Sequence, residues 1–255
     1  MLRLYRIDHG QNGTPLYAGE REGTWRLIEG DIFGSYREGP VISSEGLRLL
    51  PPVIPSKIVC VGLNYKDHAA EQNKPLPAEP LLFIKPSTAV IGPGAAIEVP
   101  MWAGRIDHEA ELGLVIGKRA FKVPLNQAMD HVLGLTAVND VTAREIQRRE
   151  GQYTRPKGFD TFAPVGPAIA LGLDPDDLAV EGWVNAERRQ ASSTRDLIFP
   201  VAELVAFISS VMTLLPGDII STGTPAGIGP IVPGDVVRVT VAGVGDLVNS
   251  VESLS

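Results

Sequence analysis

The sequence predicts a mixed, β-rich α+β fold, and three observations carry that prediction. Short apolar runs bounded by Gly and Pro recur along most of the chain, and its 27 glycines and 21 prolines suit tight connections between strands. Convincing helical periodicity appears in only three segments. Strands and helices do not alternate strictly, which disfavours a doubly wound parallel sheet and favours a mixed sheet or β-roll.

Residues 1–50 read as a small β-rich module, with short alternating runs such as "PLYAG" and "TWRLIEG" punctuated by glycine. Pro51, Pro52 and Pro55 mark a stiff connection, and residues 55–255 form the second, larger domain. Its expected strands are "KIVCVGL", "PLLFIKP", "ELGLVIG", "VLGLTAVND", "PAIALG", "EGWVNAE", "DIISTG" and "DVVRVTVAG". The last alternates cleanly, Val237, Val239 and Val241 against Arg238 and Thr240, as a half-buried strand must. The helical segments are "YKDHAAEQ", "TAREIQRREG" and "VAELVAFISSVMTLL". The third starts with Pro200 at its first position and stops at Pro216-Gly217. At fifteen residues with Glu203 inside, it is a buried helix rather than a bilayer span, which needs ~20 apolar residues.

A formal charge of −7 and no basic run longer than two residues argue against a nucleic-acid partner. One cysteine, Cys60, rules out an intrachain disulfide and any Cys-rich metal cluster, and its β-branched neighbours make it an inert core thiol. "MLRLYRIDHG" has no apolar core of signal-peptide length, so a cytoplasmic protein is expected.

The chemistry starts at "RIDHEAELGLVIG", where an otherwise buried strand carries Glu109 and Glu111 on one side of its pleat, with His108 and Ala110 on the other. Two carboxylates in one small volume repel, and a divalent cation is the natural compensator. Asp140 stands where a strand gives way to a helix. Thr142 and Glu145 match a capping box, so Asp140 is surplus to capping. Three carboxylates make an all-oxygen site suited to Mg²⁺, Mn²⁺ or Ca²⁺. His9, His108 and His131 have no partner at ligand spacing, and no G-x-S-x-G elbow occurs. His68 and Glu71 share a helical face, as do Arg144 and Gln147; solvated helix surfaces are the plain alternative for both pairs. Lys157 by itself reads as a surface lysine, and Thr224 as part of a glycine-rich turn whose N–H groups could face an anion.

"VGLNYKDHAAE", "DHEAELGLVIG", "NDVTAREIQ", "KGFDTFAPVGP" and "STGTPAG" follow one another in the order of the fumarylacetoacetate hydrolase superfamily, which the chain resembles from about Lys57 to its end. The resemblance implies a β-roll with a central Mg²⁺ or Mn²⁺ held by Glu109, Glu111 and Asp140. It implies that His68 and Glu71 polarise a water on a mobile segment, and that Lys157 stabilises negative charge beside the metal. Arg144, Gln147 and Thr224 would contact the substrate's carboxylate or keto oxygen. The expected substrate is a small 2-oxo acid or diacid whose enolate is stabilised. Isomerisation or decarboxylation of 2-hydroxyhepta-2,4-diene-1,7-dioate or a related intermediate of aromatic catabolism stands first. C–C hydrolysis of acylpyruvates or fumarylacetoacetate-like β-diketo acids and decarboxylation of oxaloacetate are the alternatives. A homodimer is implied by the same resemblance. A non-catalytic, Ca²⁺-stabilised metabolite-binding module is the reading from another class.

Overall fold

The computed structural model describes residues 1–8 and 13–254, which form the expected mixed, β-rich architecture. Five strands come first: β1 (Leu2–Asp8), β2 (Leu16–Arg21), β3 (Thr24–Gly30), β4 (Tyr36–Ile42) and β5 (Arg48–Leu50). After the prolines follow β6 (Lys57–Gly62), helix α1 (Lys66–Glu71), β7 (Leu81–Pro86), β8 (Val90–Ile91), β9 (Ile97–Val99), β10 (Ile106–His108) and β11 (Ala110–Ile116). The middle of the chain supplies β12 (Val132–Asn139), β13 (Thr142–Ala143), α2 (Arg144–Glu150), α3 (Thr154–Lys157), β14 (Ala163–Leu171), β15 (Ala179–Val184) and β16 (Glu187–Ser193). Helix α4 (Val201–Val211) precedes β17 (Ile219–Ser221), β18 (Gly229–Pro230), β19 (Val236–Val241) and β20 (Gly245–Ser253).

The largest sheet runs β4-β3-β2-β1-β14-β12-β11-β17-β6-β7, with β5 on β1 and β8 on β14. Only β17–β6 and β14–β8 are parallel in it. The N-terminal strands join this sheet through β1, which pairs Leu2 with Leu171 and Leu4 with Ile169 of β14. A second sheet runs β16-β15-β19-β20-β9, and a small third one β13-β10-β18.

Strand parity decides what each face of β11 meets. Ala110, Leu112, Leu114 and Ile116 enter one fully buried cluster with Val180 of β15 and Val239 and Val241 of β19, so the second sheet lies across the first. Helix α4 closes the same cluster with Val201, Leu204, Val205 and Ile208, a stripe at i, i+3, i+4, i+7 spacing. Each such side chain contributes about 1.5–3 kcal/mol on burial. Val115, of opposite parity, enters a second cluster with Ile58, Cys60, Val138 and Ile219. Cys60 is the expected core thiol, its pKa raised well above the ordinary value by burial and by nearby Asp140.

Three expectations are corrected. Helix α4 ends at Val211 instead of Leu215, because Leu214 leaves the helix to exchange backbone hydrogen bonds with Ala120, both at 2.9 Å, while Asp218 accepts from the Leu215 N–H at 2.8 Å. Pro200 is the residue before the first turn, not in it. The Thr142/Glu145 capping box is absent: Thr142 lies in β13 paired with Asp107 of β10, α2 follows Ala143 without a side-chain cap, and the Arg144 N–H donates to the Arg105 carbonyl.

Candidate active site

The stretch 105–117 is not one strand. β10 belongs to the small sheet and β11 to the large one, and the chain changes sheets at Glu109. Its neighbour does the same at Asp140 and Val141, between β12 and β13. The two crossings lie side by side. The Asp140 N–H donates to the Glu109 carbonyl at 2.9 Å, and the Glu109 N–H to Asn139 Oδ1 at 3.0 Å. Glu109 and Asp140 therefore sit at a seam where neither sheet claims them, with Glu111 two positions beyond Glu109 on β11. One carboxylate oxygen from each of Glu109, Glu111 and Asp140 lies within 4.8 Å of the others, and all three residues are at most 5 % exposed. A solvated strand edge is thereby excluded for the glutamate pair.

Burying three carboxylates requires cations, and the fold brings in three. Lys157, at the end of α3, donates to Glu109 Oε2 at 2.9 Å, to Asp140 and to Thr142 Oγ1 at 2.8 Å, with its ammonium 4.8 Å from the centre of the Phe83 ring. Lys85 of β7, fully buried, donates to Asp140 Oδ1 at 2.5 Å and to the Val141 carbonyl at 3.0 Å. Arg144 spreads its guanidinium over Glu109, Asp107 Oδ2 at 2.8 Å and Gln147 Oε1 at 2.6 Å. Burial opposes ionisation of each partner, yet Lys157 and Arg144 overcome it and hold Glu109 well below the usual carboxylate range. Lys157 and Arg144 are likewise held charged against their own burial by the carboxylates around them.

Glu111 fares differently. Its Oε2 accepts from Ser221 Oγ at 2.5 Å and from the Gly223 N–H at 2.9 Å, but burial and the charges of Asp140 and Glu109 push its pKa up to about 8. Among the described residues no cation forms an ion pair with Glu111, whereas Glu109 and Asp140 are each paired twice, so the cluster is short of positive charge where Glu111 stands. A clustered, all-oxygen donor set with one carboxylate lacking a cationic partner fits a hard divalent ion. Glu109, Glu111 and Asp140 would hold it.

The "STGTPAG" loop does meet anions, and they are the protein's own. Gly223 adopts φ +99°, where a Cβ would lie 2.7 Å from the Asn64 Cβ, and so aims its N–H at Glu111. The Gly227 N–H donates to Glu71 Oε1 at 3.1 Å. Thr224 lines the cleft, but its hydroxyl donates to the Ala110 carbonyl at 2.9 Å and accepts from Gln190 Nε2 at 2.8 Å. Asn64 clamps the start of α1 to this loop by donating to the Thr222 carbonyl at 2.8 Å.

Helix α1 closes over the triad. His68 is buried, with Nδ1 2.9 Å from Glu71 Oε2 and Nε2 2.7 Å from Gln72 Nε2. The helix ends in a Schellman turn. Asn73, at φ +52°, donates its N–H to the Ala70 carbonyl and Lys74 its N–H to the Ala69 carbonyl, both at 3.0 Å. The resulting cleft has a volume of about 60 Å³ and is lined by all the expected residues except Glu71, which stands behind His68: Glu109, Glu111, Asp140, His68, Lys157 and the Arg144–Gln147–Thr224 group.

Sequence reading missed Lys85, Asp107, Gln72 and Ser221. Lys85 alone left a signal: it shares the inward register of β7 with Phe83, where an aliphatic residue is expected. His108 is buried away from the triad's oxygens, and neither ring nitrogen makes a hydrogen bond within the described residues. Burial and the nearby Arg189 bring its pKa down to about 4. His131 lies outside the cluster, and His9 outside the described residues.

Residues 57–252 match the family model described as the fumarylacetoacetate (FAA) hydrolase C-terminal domain. The chain belongs to the fumarylacetoacetate hydrolase family. A crystal structure of 2-hydroxyhepta-2,4-diene-1,7-dioate isomerase from Mycobacterium marinum superposes with a TM-score of 0.91 at 42 % identity, over 99 % of each chain. The mitochondrial oxaloacetate tautomerase fahd2 of Xenopus laevis is 40 % identical over 224 residues, 83 % of this chain and 70 % of that protein. Maleylpyruvate hydrolase from Sphingobium sp. SYK-6, in complex with manganese(II) and pyruvate, gives a TM-score of 0.81 at 29 % identity, over 99 % of this chain and 100 % of that one. Family membership thus comes with isomerase, tautomerase and hydrolase relatives, and the donor set together with the manganese-bearing relative points to a divalent metal. Among the described residues, no helix is long and apolar enough to cross a membrane.

Proposed function

We propose that the protein is a Mg²⁺- or Mn²⁺-dependent enzyme that stabilises the enolate of a small 2-oxo acid and moves a proton between its enol and keto forms. The observation that carries this is the buried Glu109–Glu111–Asp140 cluster, short of positive charge and opening into a cleft that His68 covers. A bound ion would supply Lewis-acid polarisation of the 2-oxo group. The rest falls to side chains. Lys157, locked by Glu109, Asp140 and Thr142, places a fixed ammonium where negative charge grows on the substrate oxygen, at no reorganisation cost during reaction. His68 takes or returns the proton at the substrate's carbon 3, and Glu71, bonded to Nδ1, holds the imidazole in register. Gln147, held by Arg144, is the neutral donor available to the substrate carboxylate.

The inner cleft supports a small reacting end. About 60 Å³ is far below the ~300–1,000 Å³ of sites for drug-sized ligands, so a longer acid must extend outward past α1. The His68–Glu71 pair also favours a second reading, activation of a water for C–C hydrolysis of an acylpyruvate. The decisive experiment incubates oxaloacetate, acetylpyruvate and a heptadienedioate with the enzyme and Mg²⁺ or Mn²⁺ in D₂O, following products by NMR. Metal-dependent deuterium entry at carbon 3 without bond cleavage is expected. Pyruvate release would favour hydrolysis, CO₂ release decarboxylation, and absence of any metal-dependent change would leave a Ca²⁺-stabilised binding module.

A further inference from the structure

A polar vestibule of about 550 Å³ adjoins the inner cleft, and Gln72, Lys74, Arg144 and Gln147 line both. Its charges fall into two groups. Arg144 and Arg105 are engaged by Asp107, and Glu71 by His68 and the Gly227 N–H. Lys74 and Arg148 have no ion-pair partner among the described residues. Backbone geometry fixes Lys74 there, because the Schellman turn at Asn73 ends α1 and delivers Lys74, two residues after Gln72, to the rim next to the His68–Glu71 pair.

On the Phe83 and Tyr153 side of the inner cleft lies a larger and more apolar cleft of about 700 Å³ with Leu81, Leu82, Ile84 and Met212. The tail of a substrate whose 2-oxo end fills the inner cleft thus has two exits of opposite character. We infer that Lys74 and Arg148 receive the distal carboxylate of a dicarboxylic 2-oxo acid, making the vestibule the determinant that selects diacids over chain-matched monoacids. Four residues shared with the inner cleft, against two for the apolar exit, make the basic side the more continuous path. Two free cations flanking that path attract an anion through water and steer it inward. The inference rests on the inner cleft being a 2-oxo acid site.

The test compares oxaloacetate with pyruvate, and 2-oxoglutarate with 2-oxobutyrate, on Mn²⁺-loaded wild type, Lys74→Met, Arg148→Met and the double variant, by calorimetric binding and, where turnover occurs, by kcat and KM. Exposed charge contacts are weak, so each single variant should weaken diacid binding about 3–5-fold and the pair about 10-fold, through KM and not kcat, with the loss fading at high salt. Monoacid binding should stay within about twofold. Equal losses for both acids, no loss for either, or tighter binding of longer monoacids untouched by the variants would overturn the vestibule assignment and leave the enzyme reading intact. Binding of neither acid by Mn²⁺-loaded wild type would sink both.

Discussion

Lys85→Met tests whether the buried charges are mutually dependent. Lys85 is fully buried and its ammonium has two partners, Asp140 Oδ1 at 2.5 Å and the Val141 carbonyl at 3.0 Å. Methionine keeps the apolar stem and removes the charge. Breaking a buried ion pair costs about 3–5 kcal/mol, because the surviving charge is left uncompensated. Asp140 keeps Lys157, which places the expected loss near the lower end, about 3 kcal/mol. For a chain of this size each kcal/mol lowers Tm by about 2–4 °C, so metal-free Lys85→Met should melt about 6–12 °C below wild type. Circular dichroism melts in chelator measure this. Mn²⁺ should raise Tm more in the variant than in wild type, since the pocket has lost a competing cation. Lys85→Met/Asp140→Asn should recover part of the loss, with a coupling energy above about 1 kcal/mol in the double-mutant cycle. A melting loss under about 2 °C, or a coupling energy near zero, would refute the idea that Lys85 compensates Asp140.

Glu111→Gln should abolish tight Mn²⁺ binding by calorimetry while leaving the metal-free melting temperature unchanged or higher, because the carboxylate it replaces is held at a pKa of about 8 by burial and by Asp140 and Glu109. His108 binds a proton more weakly folded, at about pH 4, than unfolded, near 6.5, so stability should fall as pH drops through that window. Urea midpoints at pH 7 and pH 4.5 should converge in His108→Leu, and an unchanged pH slope would show that another group is responsible. Asn73→Gly should be neutral within about 0.5 kcal/mol, whereas Asn73→Val, at φ +52°, should cost about 1–2 kcal/mol and lower kcat by loosening α1. Equal melts and rates for the two variants would exclude that role for the turn.

The acidic cluster was legible because charge stands out against an apolar background: Glu109 and Glu111 interrupt a core run, and parity already places them together. His68 with Glu71 and Arg144 with Gln147 were legible as i, i+3 pairs, and both pairs are bonded in the structure. Lys85 was not, because its meaning depends on Asp140, 55 positions away, and a lysine at a strand end ordinarily reaches solvent. The capping box at Thr142 misled for a related reason. Local chemistry offered a cap, but pairing of β13 with β10 captured Thr142 and gave its hydroxyl to Lys157 and the Asp140 carbonyl. Likewise the apolar run through Leu215 looks helical until the Ala120 partner is known.

The paired crossing at Glu109 and Asp140 makes the spacing of the acidic oxygens a property of how two plates are bolted together. Widening or narrowing the gap between the small and large sheets, by repacking the paired Ile106 and Ala143, would retune which ionic radius is accommodated without replacing a single ligand.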